Sequence, residues 1–371
     1  MKKILFLFGT RPEAIKMAPL IACFSKDSRF DVRVGITAQH REMLDQVVSF
    51  FEIKVDYDLN IMTPNQTLHQ LTANLISRIT NEILLKESFD FVFVQGDTTT
   101  VLASAMSAFY QKIKVVHIEA GLRSHNMHSP FPEEMNRVLT SKLAAIHFCP
   151  TENSRKNLIA ENSLEQVFVV GNTVIDALIS GLDKINVTLD EALTAKYHFI
   201  DFNKKMILVT CHRRENFGAP FLEICEALLN IATQFEETVE IVYPVHLNPN
   251  IKAVAAEKLT RSNIKLIPPL DYPELIWMMN KSHIILTDSG GIQEEAPSLG
   301  KPVLVLREVT ERMEGVDAGT AVLVGSSKQK IVFETVKLLT NPDYYNAISQ
   351  ASNPYGDGTT SEKIKEIILR Y

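Results

Sequence analysis

Three carboxylic acids in the first half of the chain have positions suited to chemistry. Asp97 and Glu119 each follow an apolar run, and Glu133 lies in a loop that precedes a helical segment. A carboxylate at the end of a buried strand is costly unless it meets a partner or a substrate. Glu119 therefore indicates a functional site, whereas Asp97 fits an N-cap of the following helix as well as a catalytic role.

A glycine turn in the second half predicts a phosphate contact. The apolar run 284–286 reads as a buried strand and leads through Ser289, Gly290 and Gly291 into a helical segment. Glycines let a ligand approach the backbone, and amides at a helix start bind phosphate oxygens. Glu295, one turn into the helix, could then bind the two hydroxyls of a ribose. A tight turn with a surface Glu is the alternative, because short glycine motifs are common.

The N-terminus repeats this arrangement. A strand over 3–8 leads through Gly9 into a helical segment in which Pro12 fits the first turn. Arg11 and Lys16 could both reach a site at the end of the strand, and we interpret them as anion contacts, although a loop arginine is more often simply solvated. Two such units predict two similar α/β domains that face one cleft.

A basic loop, 211–218, follows the first strand of the second half and contains His212. Cys211 and His212 do not form a nucleophilic dyad, because adjacent residues of a strand point to opposite faces. No metal-binding spacing supports a metal site of His117, Glu119 and Asp97. The segment Asp56-Tyr57-Asp58 reads as a solvated turn. The sequence therefore predicts neither a metal nor another cofactor.

Composition is that of an ordinary globular protein. The 371 residues are 46% hydrophobic and 22% charged, with net charge −6 and pI near 6.0, which argues against nucleic-acid binding. The four cysteines have no metal or redox spacing and read as reduced. We see neither a signal peptide nor an apolar run of the ~20 residues that a membrane helix needs. We expect a cytoplasmic protein that does not bind membranes.

Strand and helix patterns alternate along the chain, which predicts doubly wound parallel sheets in two Rossmann-type domains. The predicted strands are 3–8, 31–37, 89–95, 114–120, 146–150 and 167–170, then 205–210, 240–245, 264–267, 284–287, 302–306 and 321–324. Helical patterns include 67–87 and 98–110. The segment 171–201 lacks a strand, so we place the N-terminal domain at 1–170 and the C-terminal domain at 171–354. A terminal helix within 355–371 is expected to return to the first domain.

Eight segments together resemble the non-hydrolysing UDP-N-acetylglucosamine 2-epimerase family over essentially the whole chain. They begin with Gly9-Thr10-Arg11-Pro12-Glu13-Ala14-Ile15-Lys16-Met17-Ala18-Pro19 and include 39–46, 96–100, 117–123, 171–176, 212–215, 244–250 and 288–302. The resemblance implies a GT-B-like architecture that holds UDP mainly in the second domain.

The resemblance also implies a mechanism. UDP leaves carbon 1 while a base removes the carbon 2 proton, and UDP then adds back to the 2-acetamidoglucal as a proton arrives on the opposite face. By position, the acid/base groups are Asp97, Glu119 and Glu133. His212 and Arg11 contact the phosphates with Ser289, Gly290 and Gly291, and Glu295 binds the ribose. The products supply N-acetylmannosamine-type sugars for cell-surface polysaccharide.

Relatives of this kind bind a second UDP-N-acetylglucosamine as an activator, and the resemblance implies a homodimer. The positions here that match the activator site are Gln39, His40, Gln46, Gln66 and His246. A polar loop and buried amides are the structural alternative.

Two departures from the family concern the loop 124–131 and Met313, where relatives tend to have Pro. The loop 124–131 lies near the expected sugar site, so the sequence defines the identity of the sugar less closely than that of UDP. A hydrolysing epimerase that releases N-acetylmannosamine, a GT-B glycosyltransferase and a non-catalytic UDP-sugar sensor are the competing hypotheses. Three carboxylates around one sugar favour epimerisation over the last two.

Overall fold

The structure, a computed structural model, describes residues 1–38, 41–63, 65–161 and 166–371. The chain divides into two compact units. Unit 1 comprises Met1–Ile179 and Tyr355–Tyr371, and unit 2 comprises Ser180–Pro354.

Unit 1 contains a parallel sheet of seven strands in the order β3-β2-β1-β4-β5-β6-β7. The strands are β1 (Lys2–Phe8), β2 (Phe30–Ile36), β3 (Tyr57–Asp58), β4 (Phe91–Gln95), β5 (Lys114–Ile118), β6 (Ile146–Cys149) and β7 (Val167–Val169). The central strands β1 and β4 are almost wholly buried, as expected for continuous apolar runs covered by helices on both faces.

The helices of unit 1 connect these strands and cover the sheet. They are α1 (Arg11–Ser25), α2 (Arg41–Phe50), α3 (Leu68–Ile79), α4 (Thr99–Tyr110), α5 (Glu133–Leu143), α6 (Glu152–Ala160), α7 (Thr173–Thr188, which continues into unit 2) and α16 (Thr360–Ile368). Helix α16 packs on α1, where the Cys23 thiol donates to Glu362 Oε1 at 3.1 Å.

Unit 2 repeats the topology with six parallel strands in the order β10-β9-β8-β11-β12-β13. The strands are β8 (Lys205–Thr210), β9 (Val239–Pro244), β10 (Ile264–Ile267), β11 (Ile284–Thr287), β12 (Val303–Val305) and β13 (Ala321–Leu323). The helices are α8 (Asp190–Lys196), α9 (Ala219–Gln234), α10 (Pro249–Lys258), α11 (Tyr272–Lys281), α12 (Gly290–Glu295), α13 (Met313–Asp317), α14 (Lys328–Thr340) and α15 (Pro342–Ser349).

The predicted alternation and the parallel, doubly wound sheets are confirmed, with strand ends within two residues of those expected. The helix predicted over 67–87 is wrong in detail, because α3 ends at Ile79 and a π-helical turn follows at Thr80–Leu84. The solvated turn predicted at 56–58 is also wrong. Tyr57–Asp58 pairs with β2, and the Asp56 carboxylate accepts the Val34 N–H at 2.9 Å.

The compact units divide inside α7, between Ile179 and Ser180, whereas the sequence placed the boundary between 170 and 171. The first turns of α7 hold the C-terminal segment, which explains the difference. Asp176 accepts the N–H groups of Thr360 and Ser361, and the Asn172 N–H donates to the Tyr355 carbonyl at 2.6 Å. Of the helices that the structure describes, none is long and apolar enough to span a membrane.

Candidate functional site

Both sheets change winding direction at the middle pair of strands, between β1 and β4 in unit 1 and between β8 and β11 in unit 2. In open parallel sheets, ligands bind beyond the carboxyl ends of the strands at this switch point. Asp97, His212 and Ser289 lie in the loops there, Arg11 and Gly290 begin the helices that follow, and Glu119 follows the neighbouring strand β5. Each unit thus has its own group of candidate residues: the unit 1 half-site lies beyond β1, β4 and β5, and the unit 2 half-site lies beyond β8 and β11.

The carboxylate of Glu119 accepts hydrogen bonds from three side chains of the unit 1 half-site. Glu119 is 9% exposed and has φ of 61°, a left-handed conformation that is uncommon for Glu. Its Oε1 lies 2.6 Å from Lys16 Nζ and accepts a hydrogen bond from the Asn172 amide at 3.1 Å. Its Oε2 accepts a hydrogen bond from the Gln95 amide. These donors favour the ionised carboxylate.

Asp97 lies beyond β4 and pairs with Arg137 of α5, whose Nη2 is 2.7 Å from Oδ2. The Asn136 amide holds the Asp97 carbonyl at 2.9 Å. Burial raises the pKa of Asp97, the charges of Glu119 and Glu133 raise it further, and Arg137 opposes the shift. Asp97 therefore takes up a proton more readily than an ordinary aspartate does.

Glu133 is half-buried at the first position of α5, and its charge acts on Asp97. Its neighbour Glu134 has a different task. Glu134 is 1% exposed, accepts the N–H groups of Ser124 and His125 at 3.0 and 2.9 Å, and thereby holds one end of the loop 124–132. That loop is largely exposed and contains the departure from the family noted above.

The backbone N–H groups of the turn after β1 have an acceptor within the protein. Glu13, 2% exposed, accepts the N–H groups of Gly9 and Thr10 at 2.6 and 2.9 Å and also accepts the Thr98 hydroxyl. Burial raises the pKa of Glu13. Arg11, half-buried, begins α1, and Lys16 one turn later is committed to Glu119.

His117 is fully buried under this half-site, and its Nε2 lies 2.8 Å from the Gly96 carbonyl. Burial lowers its pKa to about 3, so the ring is neutral and donates from Nε2. It therefore supports the Gly96-Asp97 turn. Across the part of the chain that the structure describes, no three His, Cys, Asp or Glu side chains form a group that could hold a metal.

In unit 2, the loop after β8 is organised by a carboxylate. Asp288 is fully buried after β11, and its Oδ2 accepts the N–H groups of His212 and Arg213, each at 2.8 Å. The Asn216 amide donates to the same oxygen at 3.0 Å. His212 Nδ1 lies 3.4 Å from Asp288 Oδ1, and its side chain is 45% exposed.

The predicted glycine turn begins α12, a helix of six residues whose N-cap is Ser289. Gly290 lies against Arg312, since a Cβ there would be 3.3 Å from the guanidinium carbon. The Arg312 Nε donates to Glu294 Oε1 at 2.9 Å. Glu295 is not the surface residue of the alternative interpretation, because it is 5% exposed and accepts the Tyr272 hydroxyl at 3.2 Å.

The residues predicted to bind an activator are divided between the units. Gln46 is exposed on α2, and Gln66 is half-buried just before α3. His246 is exposed after β9 and stacks on His212 with a centroid distance of 5.7 Å. Gln39 and His40 lie outside the described residues.

Sequence reasoning gave no role to Glu13, Arg137, Asp288 or Tyr272. The first three lie inside or beside motifs that were recognised, so their position was a signal. The sequence did not indicate their hydrogen-bond partners. His212 and Asp288, for example, are 76 residues apart, and no local pattern predicts a hydrogen bond over that separation. Tyr272 lies in a segment that carried no motif at all.

Comparison with known proteins gives the family. Residues 23–369 match the family model described as UDP-N-acetylglucosamine 2-epimerase. The UDP-N-acetylglucosamine 2-epimerase of Escherichia coli (strain K12) is 54% identical over 99% of this chain and 98% of its own length.

Two solved structures extend the match to the fold. The Neisseria meningitidis UDP-GlcNAc 2-epimerase bound to UDP-GlcNAc is 52% identical, with TM-score 0.89 over 100% of both chains. The Methanocaldococcus jannaschii enzyme in complex with UDP-GlcNAc and UDP is 34% identical, with TM-score 0.79 over 100% of both chains. The α/β fold with two parallel sheets is GT-B-like, as expected. The chain therefore belongs to the UDP-N-acetylglucosamine 2-epimerase family and is an isomerase.

Proposed function

We propose that the protein interconverts UDP-N-acetylglucosamine and UDP-N-acetylmannosamine without hydrolysis. The C2–H and C1–O bonds break, a base takes the proton, UDP takes the bonding electrons of C1–O, and a C1–C2 double bond forms. In the second half, the C1–O bond to UDP re-forms and a proton is added to the opposite face of C2. The carbon 2 proton is not acidic by itself, so departure of UDP has to assist its removal.

One observation carries this proposal: the carboxylates of unit 1 lie together but in different environments. Glu119 accepts hydrogen bonds from Lys16, Gln95 and Asn172, which favour its ionised form. Burial raises the pKa of Asp97. A carboxylate held by three donors and a carboxylate whose pKa is raised suit a base and an acid. We therefore assign proton removal from UDP-N-acetylglucosamine to Glu119 and proton return to Asp97, with Glu133 tuning Asp97.

The unit 2 half-site suits the nucleotide. We propose that His212 and the Ser289-Gly290-Gly291 turn contact the phosphates and that Glu295 binds the ribose hydroxyls. Arg11 of unit 1 adds a cation for the leaving pyrophosphate, whereas Lys16 acts through Glu119. Charged donors near the departing oxygen stabilise the transition state.

The test is incubation with UDP-N-acetylglucosamine alone, followed by ¹H and ³¹P NMR. The proposal predicts a stable mixture of UDP-N-acetylglucosamine and UDP-N-acetylmannosamine. Accumulation of free UDP with free N-acetylmannosamine would indicate the hydrolysing reaction instead. An unchanged spectrum that becomes reactive only with an added sugar acceptor would indicate a glycosyltransferase.

We also propose that a second UDP-N-acetylglucosamine activates the enzyme, through Gln46 and Gln66 of unit 1 and His246 of unit 2, with Gln39 and His40. His246 stacks on His212, so a ligand that orders His246 also restrains a residue of the phosphate site. A ligand can shift an equilibrium only by its differential affinity for the two states.

The activator proposal predicts a slow reverse reaction. Started with UDP-N-acetylmannosamine alone, turnover should accelerate after a small addition of UDP-N-acetylglucosamine, and His246→Ala should reduce that acceleration more than it weakens UDP binding. A full reverse rate from the first turnover would contradict it.

We further propose a homodimer that supplies N-acetylmannosamine-type sugars for polysaccharide synthesis in the cytoplasm. Leu85, Phe109 and Tyr110 of unit 1 are each more than half exposed and provide apolar surface for association. Light scattering at micromolar concentration should give twice the mass of 41.7 kDa.

A further inference from the structure

Asp288 uses its two carboxylate oxygens unequally. Oδ2 accepts three hydrogen bonds, from the backbone N–H groups of His212 and Arg213 and from the Asn216 amide. Oδ1 has no hydrogen-bond partner among the residues that the structure describes. The side chain is fully buried, and a buried carboxylate oxygen without a donor is destabilising.

The His212 imidazole is placed to satisfy Oδ1, since its Nδ1 lies 3.4 Å away. A proton on Nδ1 would supply the donor that Oδ1 lacks. If Nδ1 were unprotonated, two lone pairs would face each other in a buried place. The geometry therefore favours a His212 ring with Nδ1–H directed at Asp288.

The charged and titratable neighbours that the structure describes around His212 permit a positive ring. The His246 ring stacks on it at an interplanar angle of 17°, and His246 Nδ1 accepts the Asn248 N–H at 3.1 Å, which keeps that nitrogen unprotonated. Two stacked imidazolium rings would repel, but a neutral His246 does not. Arg213 Nε is engaged with the Asp288 carbonyl at 3.0 Å, and burial raises the pKa of the Cys211 thiol, which stays neutral.

We propose that Asp288 is a positioning residue that keeps His212 protonated on both ring nitrogens and aims Nε2–H away from Asp288, toward a phosphate oxygen of the bound nucleotide. Charged donors make stronger hydrogen bonds to phosphate than neutral donors do. The inference rests on the proposed contact between His212 and the phosphates, and it adds the residue that sets the charge of His212.

The direct test is made on the wild-type protein, and a variant serves only to assign the signal. Histidine ¹⁵N shifts, with His212→Gln to assign the signal, report the protonation of each ring nitrogen. We expect both nitrogens of His212 to be protonated at pH 7.5 and the ring to lose its proton well above the ordinary pH of about 6.5. A neutral His212 ring at pH 7.5 would overturn the proposal.

Asp288→Asn provides the second test, because one amide oxygen can still accept the three donors that organise the loop. The titration of His212 should move to lower pH. UDP binding, measured by calorimetry, should weaken about five- to tenfold at pH 8 and less at pH 6, where His212 is protonated in both proteins. Asp190→Asn, which alters a carboxylate that accepts the Trp277 indole N–H in the same unit, is the matched control. A folded Asp288→Asn protein with unchanged UDP affinity and an unshifted His212 titration would contradict the proposal.

The phosphate contact of His212 and the role of Asp288 can be tested separately. If His212→Gln binds UDP as tightly as wild type, the phosphate contact is wrong, whatever the charge of His212. If His212→Gln weakens UDP binding but Asp288→Asn does not, the contact stands and the role of Asp288 is wrong.

Discussion

The turns after β1 and β11 share a strand–glycine–helix pattern, but their backbone N–H groups have different acceptors. In unit 1, the carboxylate of Glu13 occupies the amides of Gly9 and Thr10, so the protein supplies its own anion. In unit 2, no carboxylate of the described residues is recorded in the place of Glu13; the Ser289 N–H donates to the Thr287 hydroxyl at 2.9 Å, and the Ser289 side chain makes no capping hydrogen bond among those residues. A strand–glycine–helix motif therefore predicts where an anion is bound, but not whether the anion is a side chain or a ligand.

The same contrast extends to the two half-sites. Unit 1 contains carboxylates whose environments differ, which suits proton transfer. Unit 2 contains hydrogen-bond donors and the Glu295 carboxylate proposed to bind the ribose, which suits nucleotide binding. Substitutions in unit 1 should accordingly act on turnover, and substitutions in unit 2 should act on affinity.

The largest effect is expected from the unit 1 carboxylates. Asp97→Asn and Glu119→Gln should each reduce turnover about 100-fold or more, because acid/base catalysis is removed. Glu133→Gln should also reduce turnover, because its charge raises the pKa of Asp97. UDP affinity should stay near wild type by calorimetry. Glu152→Gln, on the exposed face of α6, is the control. Near-normal turnover in all three variants would mean that the residues are wrongly assigned.

Glu295→Gln should act on affinity. We expect about tenfold weaker UDP binding, since a charged hydrogen-bond acceptor for the ribose becomes neutral. Wild type should bind UDP more tightly than 2′,3′-dideoxy-UDP, and the variant should lose most of that preference. Tyr272→Phe, which removes the hydroxyl that holds Glu295, should give a smaller change in the same direction. An undiminished preference in Glu295→Gln would exclude the ribose contact.

The two turns can be compared directly by truncation. Glu13→Ala leaves two backbone N–H groups without their acceptor and should lower the free energy of unfolding by roughly 2 kcal/mol. Ser289→Ala should change it by less than about 0.5 kcal/mol while weakening UDP binding several-fold. Urea denaturation and calorimetry on both variants provide the measurement. Equal losses of stability in the two variants would contradict the proposed difference, that a protein carboxylate accepts the amides of the first turn only.

Acid should affect unit 1 through its buried histidines. Burial lowers the pKa of His117 to about 3 and that of His147 to about 4, whereas the unfolded value is about 6.5. Between these values the unfolded chain binds more protons, so the free energy of unfolding falls as pH drops from 6.5 toward 4. His147→Gln should make this dependence shallower by up to about 1.4 kcal/mol per pH unit. His69 is exposed, and His69→Gln is the control that should leave the pH dependence of the free energy of unfolding unchanged. An unchanged pH dependence in His147→Gln would show that His147 does not contribute to it.

Much of this could be predicted from the sequence because it depends on local patterns. Apolar runs such as 91–94 and 284–286 predicted the strands, and the polar residues that follow these runs were the candidate site residues. The pairing of Lys16 with Glu119 was not predictable, since Lys16 could equally have reached a phosphate from the same helical position. The two-residue strand β3 was missed because so short a segment has no period, and its pairing with β2 depends on tertiary contacts.

The central claim, that unit 1 exchanges a proton at carbon 2 while UDP departs and returns, is tested most directly in heavy water. UDP-N-acetylglucosamine is incubated with the enzyme in D₂O, and carbon 2 of both sugars is followed by ¹H NMR and mass spectrometry. We predict deuterium at carbon 2 of UDP-N-acetylmannosamine from the first turnovers and in recovered substrate at equilibrium. Epimerised product that retains the original hydrogen would contradict the account.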